Sequence, residues 1–231
     1  MAKLFDPAYI LQVFPILLAQ LPITLLVTAV AIVFGLLLGI LTAVFQVRRI
    51  PVLYQIGKVY ISFIRGTPMI VQLFLFFFLL PALFRLFGMT NVQSIPLILY
   101  AFVACSLHLG GYFAETLRGS LISVGTDQLE AAYAVGMNTF RAYQRILIPQ
   151  ALALALPDTS SLVINTLKNT SLLFNIGLVD IMTRAKLLAG YTQRGLEIYI
   201  AVGVLYILLS LVIHLVFTQL EVRIRVKKYG R

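Results

Sequence analysis

From residue 20 to residue 46 the chain carries no charged side chain. As an α-helix those residues rise about 40 Å, more than the roughly 30 Å hydrocarbon core of a bilayer. In lipid a backbone must satisfy its own N–H and C=O groups, so a run of this length and composition is expected to cross a membrane as a helix. Four further runs qualify once scattered polar residues are admitted: 54–83, 94–117, 149–176 and 198–217. The expected fold is an all-α membrane protein of five transmembrane helices, one domain over residues 1–231. Composition agrees, with 61% hydrophobic and 11% charged residues where a soluble domain carries about 25% charge. A soluble enzyme, a disordered chain and a nucleic-acid reader are set aside on that ground.

The net charge of +10 then reads as a record of orientation, because basic residues collect on the cytoplasmic side. Eleven of them (Arg48, Arg49, Lys58, Arg118, Arg141, Arg145, Arg223, Arg225, Lys227, Lys228 and Arg231) fall on one side of the expected spans. Lys3, Arg85, Arg184, Lys186 and Arg194 fall on the other. This places the N-terminus outside and the C-terminus in the cytoplasm, with the cluster between Arg184 and Arg194 pulling the opposite way. The tail 223–231 reads as an anchor to anionic lipid headgroups. Residues 1–19 lack the pattern of a removable signal peptide, so the first span is expected to do the targeting. A single Cys105 gives no disulfide framework and reads as packing. Gly35 and Gly39, four apart, permit close helix contact. Phe74, Phe76, Phe77 and Phe78 read as lipid-facing bulk.

Between the third and fourth spans, residues 123–149 are written as two short amphipathic helices. Glu130, Ala131, Ala132, Tyr133, Ala134 and Val135 favour helix, Gly136 turns the chain, Thr139 can cap a second helix, and Pro149 suits the first turn of the next span. A compact helix–turn–helix on the basic side fits docking to another protein. Glu130-Ala131-Ala132, Gly136 and Ile146-Leu147-Ile148-Pro149 resemble the EAA loop of permease subunits of bacterial ATP-binding-cassette importers, with Ile148 where that loop expects Leu. Three further stretches are similar to permeases for polar amino acids: Ser62-Phe63-Ile64-Arg65-Gly66-Thr67-Pro68 with Gln72; Gly111-Tyr112-Phe113-Ala114-Glu115 with Arg118-Gly119; and Leu167-Lys168-Asn169-Thr170-Ser171-Leu172. Within that group the tract looks closest to cystine and sulfur-amino-acid permeases. The third stretch departs from the family at Asn169, where Asp is usual after the lysine.

The resemblance implies a type I importer permease of the bacterial plasma membrane working by alternating access. It further implies a dimer of ATPase subunits docked on the loop of Glu130, Ala131, Ala132, Gly136 and Pro149, a second permease copy or paralogue, an external solute-binding protein and an amino acid substrate. ATP and Mg would sit on the partner, and this chain, which has no GxxxxGK[ST] loop, would bind no cofactor and catalyse no reaction itself. L-cystine is the first candidate substrate.

Charges inside spans are costly and normally face a partner or a water-filled path. Glu115 and Lys168 therefore have two readings: they line the substrate route, Lys168 with Asn165, Asn169, Thr170 and Ser171 meeting a carboxylate and Glu115 an ammonium, or they pair with each other. Arg65, Gly66, Thr67 and Pro68 either kink the second span or end a surface helix before it. His108 and His214 read as packing or hydrogen-bonding residues, Asp158 as solvated near the cytoplasmic rim, and no metal-ligand pattern is present. An ion-coupled secondary transporter or channel remains the alternative, although neither gives the EAA-type loop a role.

Overall fold

The computed structural model describes residues 5–88, 91 and 95–229; Lys3, Ser94 and Arg231 lie outside them. The described residues are helical throughout: α1 (Pro7–Leu18), α2 (Leu21–Arg48), α3 (Pro51–Gly66), α4 (Met69–Leu86), α5 (Leu97–Ser123), α6 (Asp127–Ala134), α7 (Thr139–Ala142), α8 (Ile148–Asn169), α9 (Ile181–Thr192) and α10 (Gly195–Tyr229). A π-helical turn, Tyr143–Leu147, joins α7 to α8, and a 3₁₀ segment, Thr170–Ile176, extends α8. Five segments are long and apolar enough to cross a membrane, and they are built on α2, α4, α5, α8 and α10.

The second span begins later than its sequence suggested. Residues 54–66 belong to α3, a separate amphipathic helix, and the membrane-length helix starts at Met69. Pro68 is the cause: it cannot donate to the carbonyl of Ile64 and it holds Thr67 extended, at φ −124° and ψ 144°. The short helix α1, Pro7–Leu18, packs on α9 and α10 through Val13, Leu17, Ile181, Ala185, Ile198 and Leu205. The main core lies where α2, α4, α5 and α8 meet, around Ala31, Leu73, Ala104, Cys105, Leu109 and Leu173. Of the phenylalanine run, Phe74 and Phe78 face outward, whereas Phe76 and Phe77 pack against this core and Phe77 leans on Tyr100 at 5.1 Å.

Gly39 sets the spacing between α2 and α5. A Cβ built there would lie 2.5 Å from Phe113 Cβ and 3.1 Å from the backbone nitrogen of Ala114, so only hydrogen fits at the crossing. Gly35, one turn earlier, meets Leu109 in the same way. The glycine pair therefore makes the close contact its spacing promised.

At the outer end as read from the charge, α1 starts beside α10. Asp6 caps α1 by accepting from Ala8 N at 3.1 Å and pairs with Arg194 at 3.2 Å, while its own N–H donates to the buried Glu197 at 3.0 Å. Arg194 also covers Tyr9, and Lys186 sits 4.1 Å over the Phe174 ring. Two of the three basic residues that opposed the orientation are thus held in local contacts.

Candidate functional site

One set of polar residues in the membrane-embedded part lines a face of α5. His108, Tyr112 and Glu115 stand at i, i+4 and i+7, a helical stripe, and all three are half-buried. At the upper level, Gln72 of α4 is completely buried. Its amide nitrogen donates to the carbonyls of Ile64 (2.8 Å) and Thr67 (3.0 Å) and to Thr67 Oγ1 (2.9 Å). Gln72 thereby occupies the Ile64 carbonyl that Pro68 leaves without its helical donor. With its NH₂ so engaged, Gln72 Oε1 must accept from His108 Nδ1, 2.8 Å away. His108 Nε2 is then the acceptor, and Asn169 of α8 supplies the donor at 3.4 Å. The chain Thr67–Gln72–His108–Asn169 thus ties α3, α4, α5 and α8 into one polar layer.

Two turns further along α5, Glu115 meets arginines. Arg118 grips it with both ends of its guanidinium, Nε to Oε2 at 3.0 Å and Nη2 to Oε1 at 2.7 Å, and Arg65 of α3 approaches to 3.4 Å. Lys168 is exposed on α8 and makes no salt bridge among the described residues. Of the two readings of these residues, the Glu115–Lys168 pair does not form: two guanidinium groups hold the carboxylate, from α3 and from its own helix. The same contacts stand against a free carboxylate waiting for a substrate ammonium. Tyr60 braces this end of α3 on α5 by donating to the carbonyl of Leu107 at 2.6 Å. Burial pushes its phenol well above the ordinary range against the pull of a backbone hydrogen bond, so it stays a donor.

The α8 residues divide by face. Thr170 is buried and donates to its own helix at the Leu167 carbonyl, 2.7 Å away, so its hydroxyl is spent locally. Ser171 is half-buried and Asn169 joins His108. Asn165 and Lys168 are exposed, and with Asp158 and Ser161, also exposed, they form a stripe at spacings of three and four. That stripe runs about 15 Å along a membrane-spanning helix. Asp158 belongs to it. His214 lies exposed on α10. Of the residues at the helix break, Arg65 reaches Glu115, Thr67 donates to the Phe63 carbonyl at 2.8 Å, and Gly66 and Pro68 are exposed at the junction.

The segment after α5 forms the two short helices its sequence suggested. Asn138, in place of Thr139, caps the second one by accepting from Arg141 N at 2.9 Å. Gly136 turns the chain at φ +78°, a left-handed conformation that a side chain would strain. Glu130 and Ala131 face out and Ala132 packs inward, while Pro149 sits in the first turn of α8. Around them Tyr133, Val135 and Phe140 present apolar surface, the last two about three-quarters exposed.

Asn165 and Lys168 were already candidates from the sequence, whereas His108, Ser161 and the place of Asp158 in the stripe were missed as site features. The signal was spacing: each set repeats at three and four residues, a period visible only when polar residues are counted within an apolar run.

Residues 35–226 match the family described as binding-protein-dependent transport system inner membrane component. The chain is 39% identical to the L-cystine transport system permease protein TcyL of Bacillus subtilis (strain 168), covering 97% of this chain and 94% of the relative. It is 38% identical to the probable amino-acid permease protein YxeN of the same organism, over 90% of each. Among solved structures, a crystal structure of an amino acid ABC transporter with histidines superposes with a TM-score of 0.83 at 29% identity, over 96% of this chain and 100% of that one. The inward-facing MetNI methionine ABC transporter superposes with a TM-score of 0.74 at 19% identity, over 92% and 98%, a likeness of fold alone.

Proposed function

The chain belongs to the family of inner membrane components of binding-protein-dependent transport systems and is a permease subunit of an amino acid ABC importer; on that premise we propose that it forms one wall of the substrate path. The observation that carries this reading is the stripe Asp158, Ser161, Asn165 and Lys168, exposed on a helix whose other outward residues are apolar. Facing lipid, such a stripe would be costly. Facing a second permease chain, it lines a wet path between the two. Lys168 and Asn165 offer an ammonium and an amide to the carboxylate of a passing amino acid, and the His108–Asn169 layer lies beside them. Glu115, Arg65 and Arg118 lock α3 to α5 below that layer.

The exposed segment of Glu130, Ala131 and Gly136 docks on a partner ATPase, which binds the ATP and Mg and carries out hydrolysis. Closure of an ATPase dimer then moves α8 through the π-helical turn that joins it to α7, so that the path opens alternately to the two sides. An external binding protein delivers substrate, and the N-terminus lies outside with the C-terminus in the cytoplasm. L-cystine is the first candidate, supported by the 39% identity to a permease named for it.

Reconstitution with the partner ATPase and binding protein tests this directly. Labelled L-cystine uptake should require ATP and fall about tenfold or more in Glu130→Ala through loss of docking, and in Lys168→Gln with docking intact. ATP-independent uptake, or full activity in Lys168→Gln, would sink the reading.

A further inference from the structure

Two hollows meet at the C-terminal turn of α2. The first, about 490 Å³, lies between the end of α2, α3 and the last turns of α5, where Arg49, Lys58 and Arg118 line it together with Gln46, Tyr54 and Ser62. Glu115 is the one acidic side chain on its wall, and Arg118 and Arg65 already hold it. Arg49 and Lys58 make no salt bridge among the described residues, so the hollow carries an uncompensated positive charge. The backbone of Arg49 turns α2 into α3 at φ +50°.

The second hollow, about 970 Å³, is an apolar groove between α2, α5 and the α7–α8 junction, lined by Val44, Leu117, Leu121, Phe140, Ile148 and Leu152. Val47 lines both hollows. A cationic cavity and an apolar groove thus share a wall at the end of a membrane span, an amphipathic shape that a small soluble anion would fill only in part.

We propose that this paired hollow is a binding site for an anionic phospholipid, its phosphate held by Arg49 and Lys58 and one acyl chain lying in the groove over Leu121 and Leu152. The charge selects the headgroup, since juxtamembrane basic residues favour anionic lipid by about fivefold each. The groove selects a lipid over a free anion. Because Phe140 and Ile148 form part of the groove, the bound chain braces the α7–α8 junction against α2, behind the docking segment. The inference rests on the membrane placement above and is independent of the substrate.

Native mass spectrometry of the purified transporter complex, titrated with phosphatidylglycerol, phosphatidylcholine of the same acyl chains, or inorganic phosphate, tests it. Phosphatidylglycerol should be retained about tenfold or more over phosphatidylcholine. Arg49→Gln with Lys58→Gln should abolish that preference, and Lys58→Gln alone, on an exposed helix position, should reduce it several-fold in protein that still co-purifies with its ATPase. Leu121→Trp, which fills the groove, should weaken both lipids without changing their ratio. Equal retention of the two lipids, displacement of phosphatidylglycerol by inorganic phosphate, or a preference lost in Arg223→Gln and kept in the double variant would each overturn it. Binding in detergent is indifferent to sidedness. Labelling of Ser123→Cys by an impermeant reagent reads orientation separately, so failure of one leaves the other standing.

Discussion

At the residue scale, the tightest constraint is the absence of a side chain at Gly39. Its Cβ position falls 2.5 Å from Phe113 Cβ, a contact that neither helix can relieve by rotating a side-chain tip. Gly39→Leu should destabilise the folded protein by about 1–3 kcal/mol or more. Gly203→Ala, where nothing lies within 4 Å, should leave stability unchanged or raise it by up to about 1 kcal/mol; thermal melts of the two in one detergent make the comparison. Gln72 gives a second test. Gln72→Leu strips donors from Ile64 and Thr67 and an acceptor from His108, at about 1–3 kcal/mol for each buried group left unpaired. Gln72→Glu restores the acceptor alone. If the open carbonyls at the Pro68 break dominate, Gln72→Glu melts as low as Gln72→Leu; if the His108 bond dominates, it recovers most of the wild-type stability.

At the element scale, the junction from α8 to α9 holds a carboxyl whose ionisation works against the fold. Asp180 is buried, and burial raises its pKa above the ordinary aspartate range although hydrogen bonds from Thr183 pull the other way. Its Oδ1 accepts from Thr183 N and Oγ1, both at 2.8 Å, and Oδ2 has no hydrogen-bond partner among the described residues. A folded pKa above the unfolded one means that the carboxyl's contribution is complete below about pH 4, the unfolded value, and is lost as pH rises through the folded value. Asp180→Asn keeps an oxygen for Thr183 and cannot ionise. The melting temperature of wild type should therefore fall relative to the variant as pH climbs from about 4, and a pH-independent difference between them would remove the claim. The elements themselves were legible to differing degrees. Uncharged length exposed α2 and α10, and Glu130, Gly136 and Pro149 outlined the docking segment, because composition and turn chemistry act locally. The split of α3 from α4 was half visible in Pro68, but Gln72, which caps the break from within α4, could be recognised only once both helices were placed. The partners of Glu115 were not legible for a related reason: Arg65 and Arg118 lie near it in the fold, and nothing in one-dimensional charge placement ranks Lys168 below them.

At the scale of the whole molecule, the described chain leaves a polar stripe outward on α8, and a single copy offers nothing to cover it. Asp158 and Lys168 mark the two ends of about 15 Å of one helix side, with Ser161 and Asn165 between them. On α10 the outward residues Ile207, Leu208, Leu211, Val212 and Leu215 are apolar, with His214 the one polar side chain exposed among them, the composition that hydrocarbon selects. Cysteines placed singly along both helices, on a background with Cys105→Ser, distinguish the two environments by their reaction with a water-soluble thiol reagent in assembled transporter. A thiol ionises and reacts only where water reaches it. Positions 158, 161, 165 and 168 should label, and should do so at helical period, whereas 208, 211 and 215 should remain unmodified. ATP should change the rates along the stripe in opposite senses at its two ends, since a path open to one side is closed to the other. Uniform labelling of both helices, or protection of the stripe equal to that of α10, would place α8 against lipid or dry protein and take the substrate path elsewhere.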